Sequence, residues 1–261
     1  MSAIGSNLSV YNASSAYLSS GAAAWSPNSM SAPVAWWQPD DSSTITQSSG
    51  LLDNMADKIG SYDMGMTDTD QENRPFINTV TLNGLAVVDC RTVTTTRFLS
   101  LGGTKTAGAY SGITELADRR GAIFGVINSA VLSNGAIYGL RNALGADLIS
   151  SRWTNGRGYL PSATNGYLTQ NPYEVLENTW HIFAAIFSDT AQEFYLDSVL
   201  IASSAAGDAA TAFDAFTMGI RPANSLAGQC YIGETFINGD PVNTATRLNA
   251  EGYLADRYGL A

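Results

Sequence analysis

The sequence predicts an all-β protein, an antiparallel β-sandwich with a short C-terminal helix and an extended N-terminal arm. Three observations predict it: strand-type runs recur roughly every ten to fifteen residues from Asn83 onward, Asn-Gly pairs punctuate them, and a helical period appears only in the last segment. Alternating βαβ units would instead place long amphipathic helices between the strands.

The chain has 261 residues, of which 14% are charged, and its apolar content fills a sizeable core, so global disorder is excluded. All-β domains of this size are commonly one unit. Residues 1–32 read as an arm rich in Ser, Ala, Asn and Gly, with too little periodic apolar surface for a core of its own. Its aromatics Tyr11, Tyr17 and Trp25 are wasted in a solvated tail, so the arm is expected to pack on its own domain or on a neighbouring subunit, the alternative being a disordered leader.

The sandwich is expected over 33–261. The segment Pro33–Asp40 reads as a strand bounded by prolines, which suits an edge or a strand end because proline donates no ladder hydrogen bond. Residues 41–84 are polar and acidic, too long for a plain loop in a compact domain, and are expected to wrap the sandwich with short strands of their own.

Strands are then expected at Leu85–Cys90, Arg97–Leu101, Gly121–Asn128, Ala136–Arg141, Asp147–Trp153, Thr179–Phe187, Glu193–Ala202, Phe213–Ile220 and Gln229–Ile237. The turns between them include Asn134-Gly135, Asn155-Gly156, Asn165-Gly166 and Asn238-Gly239. Trp180–Phe187 is apolar on both faces and belongs in mid-sheet under two covers. Ala250, Tyr253, Leu254 and Tyr258 fall at helical spacing, with Asn243 or Thr244 as cap and Gly259 in the left-handed terminating position. This helix is expected to seal an edge or end of the sandwich near the first strand.

There are 23 carboxylates against 13 basic residues, Lys58 and Lys105 are the only lysines, and Arg119-Arg120 is the largest basic cluster. Phosphate neutralisation needs several cations on one face, so nucleic acid and anionic membrane surfaces are disfavoured as partners. The start at Met1 lacks the positive and apolar regions of a signal peptide, and no long apolar run follows, which gives an expectation of a cytoplasmic product. Cys90 and Cys230 lie in strand-like contexts and read as small core residues rather than as a disulfide.

Several short motifs in order carry a resemblance: Ala35-Trp-Trp-Gln-Pro-Asp40, Arg74-Pro75, Asn83-Gly-Leu-Ala-Val-Val-Asp89, Phe98–Leu101, Trp180-His181, Tyr195-Leu-Asp197, Ile232-Gly-Glu234 and Glu251–Leu260. Over about 33–261 the chain resembles the concanavalin A-like, laminin-G-type jelly-roll family of phage virion and bacterial surface proteins. It departs from that pattern at Ser198, where the hairpin often has glycine, and at Arg257-Tyr258, where Lys-Trp is common. The resemblance implies a jelly roll and spans lectins, glycosidases, adhesins and structural modules, so it leaves function open.

Candidate chemistry is sparse. Sandwich glycosidases resemble one another in a Glu-x-Asp-x-x-Glu strand, which is absent, and Asp189, Glu193 and Asp197 do not share one strand face. The single histidine, His181, sits in an apolar strand and reads as structural, as does Glu234. These readings lead to the expectation of a protein that is not an enzyme and has no cofactor. Asp68, Asp70 and Glu72 place carboxylates at alternate positions, a weak calcium candidate in a family whose members often bind calcium at a loop rim.

Trp153, Arg157, Tyr159, Tyr167 and Tyr173 form the candidate binding surface, because Gly-bearing turns present their rings with little entropic loss. The leading functional expectation is a phage capsid decoration or cement subunit, contacting a major capsid protein or other virion proteins through the arm (Tyr11, Tyr17, Trp25). Its place would be the virion, assembled in the host cytoplasm, and it would be homo-oligomeric. The alternative is a carbohydrate- or receptor-binding module of a phage fibre or bacterial surface protein that meets surface glycans.

Overall fold

The computed structural model describes residues 25–66, 73–91, 97–101, 112–116, 120–129, 135–142, 147–154, 157–162, 166–168, 178–188, 191–205, 213–220 and 229–260, with backbone alone at 135–136, 141–142, 147–154, 157–162, 166–168, 204–205 and 213–215. In chain order the strands are β1 (Pro33–Trp37), β2 (Ile45–Ser48), β3 (Leu51–Met55), β4 (Met64–Gly65), β5 (Phe76–Leu82), β6 (Leu85–Asp89), β7 (Leu99–Leu101), β8 (Gly121–Ser129) and β9 (Gly135–Asn142). They continue as β10 (Asp147–Thr154), β11 (Arg157–Ser162), β12 (Gly166–Leu168), β13 (Trp180–Phe187), β14 (Ala191–Leu196), β15 (Val199–Ala205), β16 (Phe213–Met218) and β17 (Cys230–Asn238), and the helix α1 (Thr244–Tyr258) follows.

All registered pairings are antiparallel, and they define two layers. In the back layer β17 gives one edge to β1 and β6 and the other to β8, which continues through β13, β14 and β15. In the front layer β2, β3, β4, β7, β16, β9, β10, β11 and β12 pair in that order. The hairpin β5–β6 links the layers through Leu51 opposite Phe76. Aromatic contacts cross the gap: Trp37 of β1 stacks on Phe216 of β16 at 5.5 Å, and Tyr138 of β9 meets Phe183 of β13 at 5.3 Å. The Tyr138 hydroxyl also shares a 2.8 Å hydrogen bond with Thr235 Oγ1 of β17. The expected all-β sandwich is therefore the observed one.

Period-two alternation explains why the back layer is buried on both sides. In β8, Ile123 and Ile127 enter the core between the sheets, whereas Ala122, Phe124 and Val126 belong to a second cluster on the outer face. In β13, Phe183 and Ala185 point inward and Ile182, Ala184 and Ile186 outward, as its two-faced apolarity predicts. The second cluster is completed by Ala250, Leu254 and Tyr258 of α1 and by Met30 and Trp25. The helix thus lies over the outer face of the back sheet, not at an edge or end, because that face carries a row of large apolar side chains that water would otherwise meet.

The helix is capped as expected. Asn243 accepts the Thr246 amide at 2.8 Å, and Gly259 adopts φ 64°, ψ 35° and donates its amide to Ala255. The described chain already packs ahead of Pro33: Pro27–Ser29 form a single 3-10 turn, and the Ala32 amide donates to Asn238 Oδ1 at 3.1 Å.

The expected strand Glu193–Ala202 is two strands, β14 and β15, turning at Asp197 and Ser198 with φ 48° and 65°. Ser198 takes a left-handed position that favours glycine, and its hydroxyl donates to Glu251 Oε2 at 2.7 Å. Asp197 accepts the Ile182 amide at 2.8 Å and meets His181 Nδ1 at 2.6 Å. These tertiary bonds hold the strained turn against the helix and the sheet. His181 is accordingly a buried positioning group for the hairpin.

Candidate functional site

One row of side chains crosses four strands of the back sheet on its outer face. Tyr231 of β17 stands opposite Asp89 of β6 on one side and Asn128 of β8 on the other, and Asn128 stands opposite Trp180 of β13. Directly opposed residues of antiparallel strands share a face. The order Asp89–Tyr231–Asn128–Trp180 is thus fixed by register alone.

Each member is anchored. The Asp89 carboxylate takes Arg91 N and Nε at 3.0 Å on Oδ1, and Arg91 Nη2 at 2.9 Å and Thr79 Oγ1 at 3.2 Å on Oδ2. The Asp89 hydrogen bond raises the Arg91 pKa, so the guanidinium stays charged. That guanidinium lies 4.2 Å from the centre of the Tyr231 ring, which in turn packs against Trp180 at 5.7 Å. Burial raises the Tyr231 phenol pKa, so it remains a neutral donor. Arg91 is 41% exposed and Trp180 is half-buried, whereas Asp89 and Asn128 are buried. Asn128 Oδ1 has no hydrogen-bond partner among the described residues.

This set offers a half-buried indole, a roofed phenol, a fixed guanidinium and a buried carboxamide oxygen. Such a combination suits a neutral, hydroxyl-bearing ring: apolar C–H faces stack on an aromatic, and hydroxyls meet Arg91 at the rim.

A second polar cluster, under the helix, is closed to ligands. Glu234 is fully buried beside a bulge in β17 and accepts Trp36 Nε1 at 2.6 Å and Tyr253 Oη at 2.7 Å on Oε1. Its Oε2 lies 2.7 Å from Arg257 Nε without hydrogen-bond alignment, and Arg257 Nη2 donates to Asp40 Oδ2 at 2.6 Å. Burial raises the Glu234 pKa against the lowering effect of Tyr253, Arg257 and Trp36. Tyr258 closes the cluster by accepting the Glu234 amide at 2.9 Å. Glu234 is a buried, hydrogen-bonded strand residue, and Arg257-Tyr258 ties the helix to the sheet.

Of the sequence-derived binding residues, Trp153, Arg157, Tyr159 and Tyr167 fall on the front-layer ribbon β10–β11–β12. In register Tyr159 opposes Arg152, Arg157 opposes Thr154 and Tyr167 opposes Pro161. Trp153 opposes Gly158. Tyr173, the calcium candidates Asp68, Asp70 and Glu72, and the arm residues Tyr11 and Tyr17 lie outside the described residues. Trp25 packs on its own domain, 5.5 Å from Tyr253 and 6.0 Å from Phe236. Among the described residues no group of three or more His, Cys, Asp or Glu side chains is placed to hold a metal ion, and no helix is long and apolar enough to cross a membrane.

Sequence comparison finds no family model that matches the chain and no curated protein that does. Solved structures share the fold. Trypanosoma rangeli sialidase superposes with a TM-score of 0.56 at 11% identity over 87% of this chain and 33% of that one. Domain 4 of AbnA, a GH43 extracellular arabinanase from Geobacillus stearothermophilus, in complex with arabinotriose, gives 0.54 at 11% identity over 85% of this chain and 98% of that one. An arabinofuranosidase complexed with arabinofuranosyl-α-1,2-xylobiose gives 0.57 at 16% identity over 80% of this chain and 51% of that one. This chain therefore spans about a third of the sialidase and half of the arabinofuranosidase.

These matches overturn one expectation. The absence of a Glu-x-Asp-x-x-Glu strand suggested a protein that is not an enzyme, yet the solved chains that share its fold are sialidase and arabinose-acting glycoside hydrolases or a domain of one. That motif marks one kind of sandwich hydrolase, and its absence carries no weight for chains whose sandwich is one part of a larger enzyme.

Proposed function

We propose that this chain is a carbohydrate-binding β-sandwich of the kind found in carbohydrate-active enzymes, and that it holds a neutral saccharide against the Asp89–Tyr231–Asn128–Trp180 row. The observation that carries the reading is the row itself: two aromatic rings, a guanidinium fixed by a carboxylate, and a buried amide oxygen still lacking a donor, on neighbouring strands. The shared fold of a domain solved with arabinotriose supports the same class of ligand. The virion-shell role draws no support from the row or from Trp25, and the laminin-G-type assignment rests on the motifs alone.

The test is calorimetric titration of the full chain with arabinotriose, arabinofuranosyl-α-1,2-xylobiose and sialic acid. Binding of a neutral sugar is expected, weakened about tenfold or more by Trp180→Ala as the stacking platform is lost and unchanged in Trp153→Ala. Failure of all three sugars to bind overturns the function. Binding that survives Trp180→Ala and is lost in Trp153→Ala overturns the row and assigns the ribbon.

A further inference from the structure

We infer that Cys90 and Cys230 are a latent cross-strand disulfide, which closes when the chain folds in the presence of a disulfide oxidant and ties β6 to β17 in the centre of the sandwich. Both thiols are free and buried in the core between the sheets. The β6–β17 register runs Ile232 opposite Val88 and Tyr231 opposite Asp89, and the next step sets Cys230 opposite Cys90. The backbone bond from Cys90 N to Cys230 O, 2.9 Å, confirms that step. Opposed residues of antiparallel strands have Cα atoms about 4.5–5.5 Å apart, inside the range a disulfide spans. Both side chains belong to the core between the sheets, on the same face of the β6–β17 pair.

Gly219 leaves the room. A Cβ on this residue would stand 2.7 Å from Cys90 Sγ, and its φ of 85° is one that glycine adopts without strain. The loop that the bridge would close runs from residue 90 to residue 230, more than half of the chain, and crosslinks closing long loops remove the most freedom from the unfolded state.

The reaction balances with a small-molecule disulfide such as oxidised glutathione. One cysteine thiolate attacks the oxidant and expels a thiol, and the second cysteine attacks the mixed disulfide and expels another. The protein loses two protons and two electrons, and the oxidant becomes two thiols. Its contact with Cys230 and its burial hold the Cys90 pKa well above that of a free thiol, so the folded, reduced protein is slow to react. The bridge is set while the chain is still open.

The experiment refolds the full chain from denaturant, once with a glutathione redox mixture and once with reductant. Oxidative refolding is expected to give a monomer lighter by two hydrogen atoms, with a peptide linking Cys90 to Cys230, a native circular dichroism spectrum, and an unfolding constant about a hundredfold smaller than that of the reduced chain. Native protein that keeps both thiols, that carries only glutathione adducts, or that forms the bridge without added stability overturns the inference. Cys230→Ala and Cys90→Ala, refolded the same way, should show no stability difference between the two conditions. A difference in either variant would assign the gain to something other than the bridge.

Discussion

Replacing Arg257 with methionine tests whether the helix is locked to the sheet by charge. Arg257 sits between two carboxylates, Asp40 at 2.6 Å and Glu234 at 2.7 Å, and its side chain is 25% exposed whereas that of Glu234 is 0% exposed. Arg257→Met keeps the aliphatic stem and removes the charge. Breaking a buried pair from one side costs about 3–5 kcal/mol, because the remaining charge is left without compensation. Two features place this case at the low end: Glu234 keeps its bonds to Trp36 and Tyr253, and water reaches part of the guanidinium. A loss of about 3 kcal/mol at pH 7 is expected, which for a chain of this size lowers Tm by about 6–12 °C.

The pH dependence separates charge from packing. Burial already raises the Glu234 pKa, and removing Arg257 raises it further. A carboxyl with a higher pKa folded than unfolded binds its proton more tightly in the native state. The deficit should therefore be largest at pH 7 and shrink as the pH falls toward the ordinary glutamate range. Urea unfolding of both proteins at pH 7 and near pH 4.5 is the assay, and Glu234→Gln in the Arg257→Met background should restore most of the loss at pH 7. A deficit below about 1 kcal/mol, or one equal at both pH values, would refute the reasoning.

Asn243→Ala removes the side-chain acceptor for the Thr246 amide and is expected to cost about 1 kcal/mol in urea unfolding. Tyr138→Phe leaves the buried Thr235 hydroxyl without its inter-sheet partner and should cost about 1–3 kcal/mol by the same measurement. In the parent chain burial raises Glu234 and Glu251, so their contribution is fully present below the ordinary glutamate pKa and lost as pH rises through the folded values. Asp41, held at about 2 chiefly by its hydrogen bond from Lys58, acts in the opposite sense. Its contribution is present above the ordinary aspartate value and lost as pH falls toward 2, and raising the salt concentration across an acid titration should weaken it.

Legibility in the sequence followed the reach of each signal. Most strands from Leu85 onward and the helix from Thr244 are readable because period, turn residues and caps are local, and Asn243 and Gly259 act within one turn of the backbone they serve, whereas β11 and β12 are not expected and β14 and β15 read as one strand. The short strands β2 to β5 were not placed, since Ile45–Ser48 is exposed over most of its length and lacks an alternating apolar face. The helix reads as a seal for an edge or end because Arg247 and Glu251, buried as an ion pair, interrupt its apolar stripe and hide how much of it is covered. The candidate row was missed for a different reason. Asp89, Asn128, Trp180 and Tyr231 lie on four strands far apart in sequence, and only pairing register brings them side by side. The clue available is Trp180 opening one largely apolar run, and Asp89 closing another.

Strand β17 is the last in chain order among the described strands and yet borders three others, β1, β6 and β8. Until residues 230–238 have left the ribosome, the oldest parts of the back sheet wait with bare ladder edges, and the outer apolar face waits longer still for α1. Unpaired edges and uncovered apolar surface are what invite contact with other nascent chains. Any perturbation that delays β17 or α1 therefore leaves those edges and that face open to other chains for longer.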